Sequence, residues 1–188
     1  MMDKKIILFV ALQSELPKDK IPMDVEVHYT GVGKVNAAIK ATEVLYAALK
    51  CGTDTPDDTL VLNYGSAGST TIPKGTLVDC SYFIQQDMDT PFGEKYTTPF
   101  DELIYPDLVD APIQFGIGYV CRTQDRFETK PKGIFDMEAY SIAKVCKLYG
   151  FDFRAYKYIS DGGDTTDWNE NHSSGIDKFL EILNEIKK

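Results

Sequence analysis

Three carboxylates stand where short apolar runs stop. Glu138 lies in Asp136-Met137-Glu138-Ala139-Tyr140, Asp161 closes Ile159-Ser160-Asp161, and Glu15 follows the run Ile6–Ala11. The first belongs to an expected helix start and the second to an expected strand end. Acidic side chains gathered at one edge of a sheet suit acid/base work on a bond that breaks toward a cation, and N-glycosidic bonds are of that kind. Each residue also has a plainer role open to it. Glu138 would interact favourably with a helix dipole. Asp161, before Gly162-Gly163, would serve as a turn residue, and Glu15 would be an ordinary surface residue after a strand. Their joint occurrence after hydrophobic elements favours chemistry.

The elements that must position them read as follows. Ile6–Val10 is a continuous apolar run, the mark of a strand covered on both faces. Val25–Tyr29 alternates as a short strand, and Gly31-Val32-Gly33 makes a tight turn. Val35, Ala38, Ile39, Thr42, Leu45 and Leu49 then recur at helical spacing, up to a glycine cap at Gly52. Thr53–Asp58 is a polar loop. Leu60–Leu62 is a core strand running into Gly65-Ser66-Ala67-Gly68, where small residues let a ligand approach the backbone at a strand's C-terminal end. Gly75–Gln85 and Ile113–Arg122 read as strands. Between them, Asp87–Pro112 has four prolines and no period; long irregular segments of this kind are often functional. Asp136 fits a helix N-cap, with Gly150 ending that helix. Phe151–Ser160 is a strand, and Ser173 or Ser174 caps a last helix with the face Ile176, Phe179, Leu180, Leu183 and Ile186. Strands alternating with helices imply one α/β domain over residues 1–188 with a largely parallel sheet.

The chain has 188 residues, 43% of them hydrophobic, and a formal net charge of -9. That balance speaks against a nucleic-acid backbone as partner, since phosphate binding needs clustered Lys and Arg. No segment is long enough to span a bilayer. The N-terminal apolar run is short and lacks a small-residue cleavage site, so it reads as a strand and not a signal peptide. Cys51, Cys80, Cys121 and Cys146 lack paired spacing and read as buried thiols of a cytoplasmic protein. His28 and His172 are far apart. Asp167-x-Asn169-x-Asn171 begins like a calcium loop, but His172 and Lys178 stand where Gly and Glu are needed. No metal and no cofactor is expected. Gly31-x-Gly33 lacks the third glycine of a dinucleotide fingerprint, Asn36 standing in its place.

Taken together, Gly31-Val-Gly-Lys-Val-Asn-Ala-Ala38, Asn63-Tyr-Gly-Ser-Ala-Gly68, Asp136-Met-Glu-Ala139 and Ile159-Ser-Asp161 resemble, in order, the nucleoside phosphorylase/nucleosidase superfamily. The likeness is closest to the methylthioadenosine/S-adenosylhomocysteine nucleosidases. It implies a single α/β domain around a mixed, barrel-like sheet flanked by helices, and a homodimer. It further implies that Glu15 activates the attacking water and that Glu138 holds the ribose hydroxyls, with Met137 beneath the sugar. Asp161 would serve the purine N7, oriented by Ser160. Ser66 and Gly68 would lie against sugar and base, Phe127 would stack on the purine, and Phe92 would reach into the partner's site. The chain departs from the family's pattern in three places. It runs from Glu15 to Gly31 through Pro17–Pro22, where a hairpin is usual. Gln13 and Ser14 replace acidic neighbours of the glutamate. Glu128 stands where an apolar residue usually presents its backbone to the base.

The expected substrate is therefore a small purine nucleoside, an adenosine derivative such as 5′-methylthioadenosine or S-adenosylhomocysteine. Two alternatives stay open: phosphorolysis and nucleoside binding without catalysis. A phosphorylase holds an anion, usually with arginines and backbone amides. The three arginines are Arg122, Arg126 and Arg154, none near Gly31–Gly33 or Gly65–Ser69 in sequence, which favours water as the nucleophile. Lys34 keeps the phosphate alternative open. The chemistry expects a carboxylic acid raised in pKa at Asp161 and a negative Glu138.

Overall fold

The computed structural model describes residues 4–52, 55–99, 101–104 and 113–188. Phe100 and residues 105–112 of the long irregular segment, and 53–54 of the polar loop, lie outside the described residues.

Strand β1, Lys5–Val10, is the central apolar run, and every residue from Ile6 to Val10 is buried. Side chains alternate across a strand, and here the two sets enter different layers. Ile7 and Phe9 join the core formed with Ala37, Ala41, Leu45 and Val61; Ile6, Leu8 and Val10 join that of Leu62, Tyr64, Phe179 and Leu183. β1 therefore has no polar face. It pairs in parallel with β2, Val25–Tyr29, and with β3, Thr59–Gly68.

β3 extends past β1 and pairs in parallel with β8, Asp152–Asp161, along almost its whole length. β8 turns to β4, Leu77–Gln85, in antiparallel pairing at Leu77–Cys80. β4 continues in parallel to β6, Tyr119–Thr123, β6 to β7, Ile134–Asp136, and β7 closes on Gly68 of β3. These five strands form a closed ring within a mixed α/β sheet. β5, Ile113–Gln114, is a short antiparallel addition to β4.

Helix α1, Lys34–Cys51, ends at Gly52 in the left-handed conformation. It packs with α3, Ala139–Tyr149, on one side of the sheet. The short α2, Asp101–Ile104, lies within the irregular segment. α4, Thr165–Asn171, and α5, Ile176–Ile186, come last, and Phe179 of α5 stacks on Tyr64 at 4.4 Å between ring centroids. Among the described residues no helix is long and apolar enough to cross a membrane.

Several expectations need correction. The sheet is largely parallel, as expected, but ring closure reverses direction at β8–β4 and at β3–β7, which makes it mixed. α1 buries Ala37, Ala41, Leu45 and Ala48, while Val35 and Ile39 are 68% and 62% exposed. Small side chains and Leu45 make up the buried face, so Val35 and Ile39 turn outward. The strand expected over Ile113–Arg122 is two short strands broken at 115–118. The helix expected to start at Ser173 or Ser174 has Gly175 as its N-cap. The segment that began like a calcium loop is α4. Cys51 is exposed, whereas Cys80, Cys121 and Cys146 are buried.

Candidate active site

A cavity of about 340 Å³ opens where β1, β3, β7 and β8 end, and Glu15, Ser66, Gly68, Phe127, Met137, Glu138 and Asp161 all line it. The carboxylates reach it from three directions. Glu15 leaves β1 on a turn whose Leu12 amide donates to Glu15 Oε2 at 3.2 Å. Its Oε1 accepts from the Ser66 amide at 2.9 Å and from the Ser66 hydroxyl at 2.6 Å. β3 therefore presents Ser66 as an anchor for Glu15.

Asp161 is the last residue of β8 and is buried. The Ser160 hydroxyl donates to its Oδ2 at 2.8 Å and the Gly163 amide to its Oδ1 at 2.8 Å. Gly163 has φ 98°, and a Cβ there would stand 2.4 Å from the Thr129 carbonyl oxygen. Only glycine lets this loop lie against the Glu128–Thr129 backbone while donating to Asp161. Gly68 meets Asp161 from the other side: a methyl group there would come within 3.1 Å of Asp161 Oδ1. Ser160 is fully buried and orients Asp161 without lining the cavity.

Glu138 is the N-cap of α3, one position before the helix rather than within its first turn. Its Oε1 accepts from the Gly33 amide at 2.9 Å, which ties the α1 entry to the cavity. Burial, reinforced by the negative Asp136 nearby, pushes the Glu138 carboxyl up to about 8, against the opposing pull of Lys157 and the Gly33 amide. This direction opposes the negative charge expected of Glu138.

Asp136 ends β7 instead of starting the helix, yet it does the work of a cap. Its Oδ2 accepts from the Glu138 amide at 3.3 Å and from the Ala139 amide at 2.8 Å. Its Oδ1 accepts from Thr123 Oγ1 at 2.6 Å, and Lys157 Nζ sits 2.7 Å from Oδ2. Both members of this ion pair are buried. Burial alone would raise Asp136, but the Lys157 ammonium and the hydrogen bonds hold it below the ordinary carboxylate value. Burial would likewise lower Lys157, and Asp136 more than offsets it, so the ammonium is held above its ordinary value.

The remaining wall comes from Ala11, Leu12, Val32, Arg126, Glu128, Phe135, Thr165 and Trp168. Phe92 does not line the cavity and is 71% exposed. Sequence reasoning missed Lys157, Trp168 and Thr165. Lys157 had a signal: a cation inside residues 155–160, a stretch otherwise fit for burial, demands a buried countercharge. Trp168 is the only tryptophan of the chain, and it sat in a segment examined for calcium alone. Arg126, well separated in sequence from the glycine turns, nevertheless lines the cavity, with its guanidinium 3.9 Å from the Glu128 carboxylate.

The N-terminus of α1 is taken up by the protein's own carboxylates. Besides Gly33 with Glu138, the Lys34 amide donates to Asp125 Oδ1 at 2.8 Å, and Lys34 Nζ pairs with Asp87 at 2.5 Å. Arg122 donates to Gln86 and Arg154 pairs with Asp79.

Comparison with known proteins agrees with this architecture. The chain is 32% identical over 168 residues to a 5′-methylthioadenosine/S-adenosylhomocysteine nucleosidase of Haemophilus influenzae (strain PittEE), covering 75% of this chain and 69% of the relative. A nucleosidase of the same name from Geobacillus thermodenitrificans (strain NG80-2) is 29% identical over 180 residues, covering 81% and 70%. The chain thus spans roughly two thirds of the length of these curated relatives. Among solved structures, futalosine hydrolase of Helicobacter pylori strain 26695 superposes with a TM-score of 0.73 at 16% identity, over 98% of this chain and 97% of that one. The S-adenosylhomocysteine nucleosidase of Streptococcus pyogenes, in complex with 5-methylthiotubericidin, does so with a TM-score of 0.74 at 17% identity, over 99% and 97%. At that identity the likeness speaks for the fold. The family model described as Phosphorylase superfamily matches residues 23–187, which takes in the elements that carry Ser66, Glu138 and Asp161, so the chain belongs to the phosphorylase superfamily.

Proposed function

We propose that the protein is a nucleosidase that hydrolyses the N-glycosidic bond of a purine nucleoside, with 5′-methylthioadenosine, S-adenosylhomocysteine or a related adenosine derivative as substrate. The observation that carries this reading is the meeting of Glu15, Glu138 and Asp161 in one cavity beside Phe127. The names of the relatives support it.

In this reading the purine stacks on Phe127 and turns N7 to Asp161. A purine anion leaves poorly at neutral pH, so Asp161 donates a proton and the base departs neutral. The sugar then carries oxocarbenium character, as in glycoside hydrolysis. Glu138 and Met137 hold the ribose, with Glu138 Oε1 fixed by the Gly33 amide and its second oxygen turned to the hydroxyls. Glu15 takes a proton from water as the water attacks the anomeric carbon. Ser66 fixes Glu15, and Gly68 leaves room for Asp161.

Water is favoured over phosphate by the α1 N-terminus. A phosphorylase would offer such amides and a free cation to the anion. Here carboxylates occupy the Gly33 and Lys34 amides, and the Lys34 ammonium is paired. Incubation with 5′-methylthioadenosine, S-adenosylhomocysteine, adenosine and inosine in phosphate-free buffer tests the proposal. Adenine release from one of the thioether nucleosides is the expected result. Binding without any base release would leave only a nucleoside-binding protein.

The same proposal treats residues 1–188 as one functional unit, places it in the cytoplasm, where its four unpaired cysteines would stay reduced, and makes it a homodimer. Exposed Val35, Ile39, Phe92 and Ile117 supply apolar surface for a second copy. Phe92 would complete the partner's cavity. Light scattering at micromolar concentration should give the mass of a dimer. Phe92→Ala should then raise KM for a substrate with a bulky apolar 5′ group more than KM for adenosine. A fully active monomer, or equal effects on both, would refute the shared site.

A further inference from the structure

We propose that Trp168 is a positioning residue for the general base: its indole N–H holds the Ser66 hydroxyl so that Ser66 must donate to Glu15. The inference rests on the proposed hydrolysis and adds to it a residue from outside the motifs of the sequence. Trp168 Nε1 lies 2.9 Å from Ser66 Oγ, and Ser66 Oγ lies 2.6 Å from Glu15 Oε1.

The direction of this chain follows from its chemistry. An indole N–H can only donate, an ionised carboxylate can only accept, and a serine hydroxyl has one hydrogen to give. Trp168 therefore donates to Ser66, and the Ser66 hydrogen goes to Glu15. Without the indole, the hydroxyl could rotate into the cavity and bond water or substrate. With it, Glu15 Oε1 accepts two short hydrogen bonds, from the Ser66 amide and hydroxyl. Oε2 keeps only the longer bond from the Leu12 amide. The two oxygens become unequal, and Oε2 is left to take the proton from water.

The helix that bears Trp168 is anchored at its start. Asp164 caps α4 by accepting from the Thr166 amide at 2.7 Å. It stands three residues after Asp161, so the loop that places the proposed acid also sets the start of α4. Lys74 pairs with Asp167 at 2.8 Å, and the His172 ring stacks on the indole at 4.8 Å between centroids. Trp168 thus links the Asp161 end of the cavity to the Glu15 end.

A double-mutant cycle tests the role. Trp168→Phe keeps an aromatic ring and removes the donor, together with part of the ring surface. It should lower kcat about tenfold, the order expected for losing one bond that supports a charged group, with KM changed less than about twofold. Ser66→Ala should lower kcat at least as much. Combining the two should give no further loss, because Trp168 acts through Ser66. Additive losses would show that Trp168 acts elsewhere and would overturn the proposal. A second readout does not need turnover. With one tryptophan, the ¹⁵N-labelled protein has one indole N–H resonance. It should exchange slowly with solvent in the wild type and fast in Ser66→Ala; equal, fast exchange in both would also overturn the proposal. An inactive wild type with a protected indole would instead sink the proposed hydrolysis, and the catalytic role of Trp168 with it.

Discussion

Asp161→Asn should lower kcat by about two to four powers of ten, the usual worth of a positioned proton donor, while nucleoside analogues still bind. The substitution is close to isosteric, and the surroundings can accept it. The Gly163 amide can still donate to the side-chain oxygen at position 161. The Ser160 hydroxyl, which now donates to Asp161 at 2.8 Å, has the Ala67 carbonyl within 3.5 Å as a substitute acceptor. What disappears is the proton for N7, so the base must leave as an anion. Binding can be followed separately from turnover, because Trp168 lines the cavity and is the sole tryptophan. A fluorescence titration with a nucleoside analogue should give a dissociation constant close to that of the wild type. Turnover at the wild-type rate would remove Asp161 from the mechanism. Loss of binding along with turnover would make it a structural residue.

Lys157→Met should cost about 3–5 kcal/mol of stability, the range for leaving a buried charge without its partner. Domains of this kind have only about 5–15 kcal/mol in total, so the denaturation midpoint should fall by roughly 10 °C. The effect is large because of what Asp136 does. It receives Thr123 from β6 and the amides of Glu138 and Ala139 at the head of α3. Lys157 comes from β8 and neutralises it inside the ring. An uncompensated Asp136 would take up a proton or draw in water, and either would loosen the turn that carries Met137 and Glu138. Replacing both partners, as Lys157→Met with Asp136→Leu, should recover part of the stability, since no buried charge then remains. The pH dependence has a definite sign. Asp136 is held below its ordinary value of 3.8, so its contribution is present above that pH and is lost as pH falls further. Lys157 is held above its ordinary value of 10.5, so its contribution is present below that pH and is lost as pH rises further. The pair therefore stabilises the fold across the whole neutral range. An unchanged midpoint in Lys157→Met by chemical or thermal denaturation would contradict this account.

Much of the fold could be read from hydrophobic pattern alone. Ile6–Val10 announced a strand buried on both faces, and Leu60–Leu62 and Phe151–Ser160 marked its neighbours; all three strands are present. Pattern could not supply the closure of the ring, because that depends on pairings between distant segments. β4 meets β8 in the opposite sense to β3, and no local feature of Leu77–Cys80 records this. Periodicity also misled on α1. Val35 and Ile39 belong to the hydrophobic signal yet are exposed, whereas Leu45 and three alanines carry the contact. In the candidate site, residues within motifs were legible because glycines and carboxylates cluster at strand ends. Lys157 and Trp168 were not, since each acts through a neighbour brought close only by the fold: Asp136 for one, Ser66 for the other. The upward shift of the Glu138 carboxyl is hidden from the sequence for a related reason. Burial decides it, and burial is a property of the assembled cavity.

The central claim is that water, activated at Glu15, is the nucleophile. It is tested most directly by giving the protein its preferred nucleoside in a large excess of phosphate and determining the mass of the sugar product. The account predicts the free sugar, at a rate unchanged by phosphate, because the Gly33 and Lys34 amides and the Lys34 ammonium are already held by Glu138, Asp125 and Asp87. A sugar 1-phosphate, formed at a rate that rises with phosphate, would contradict it.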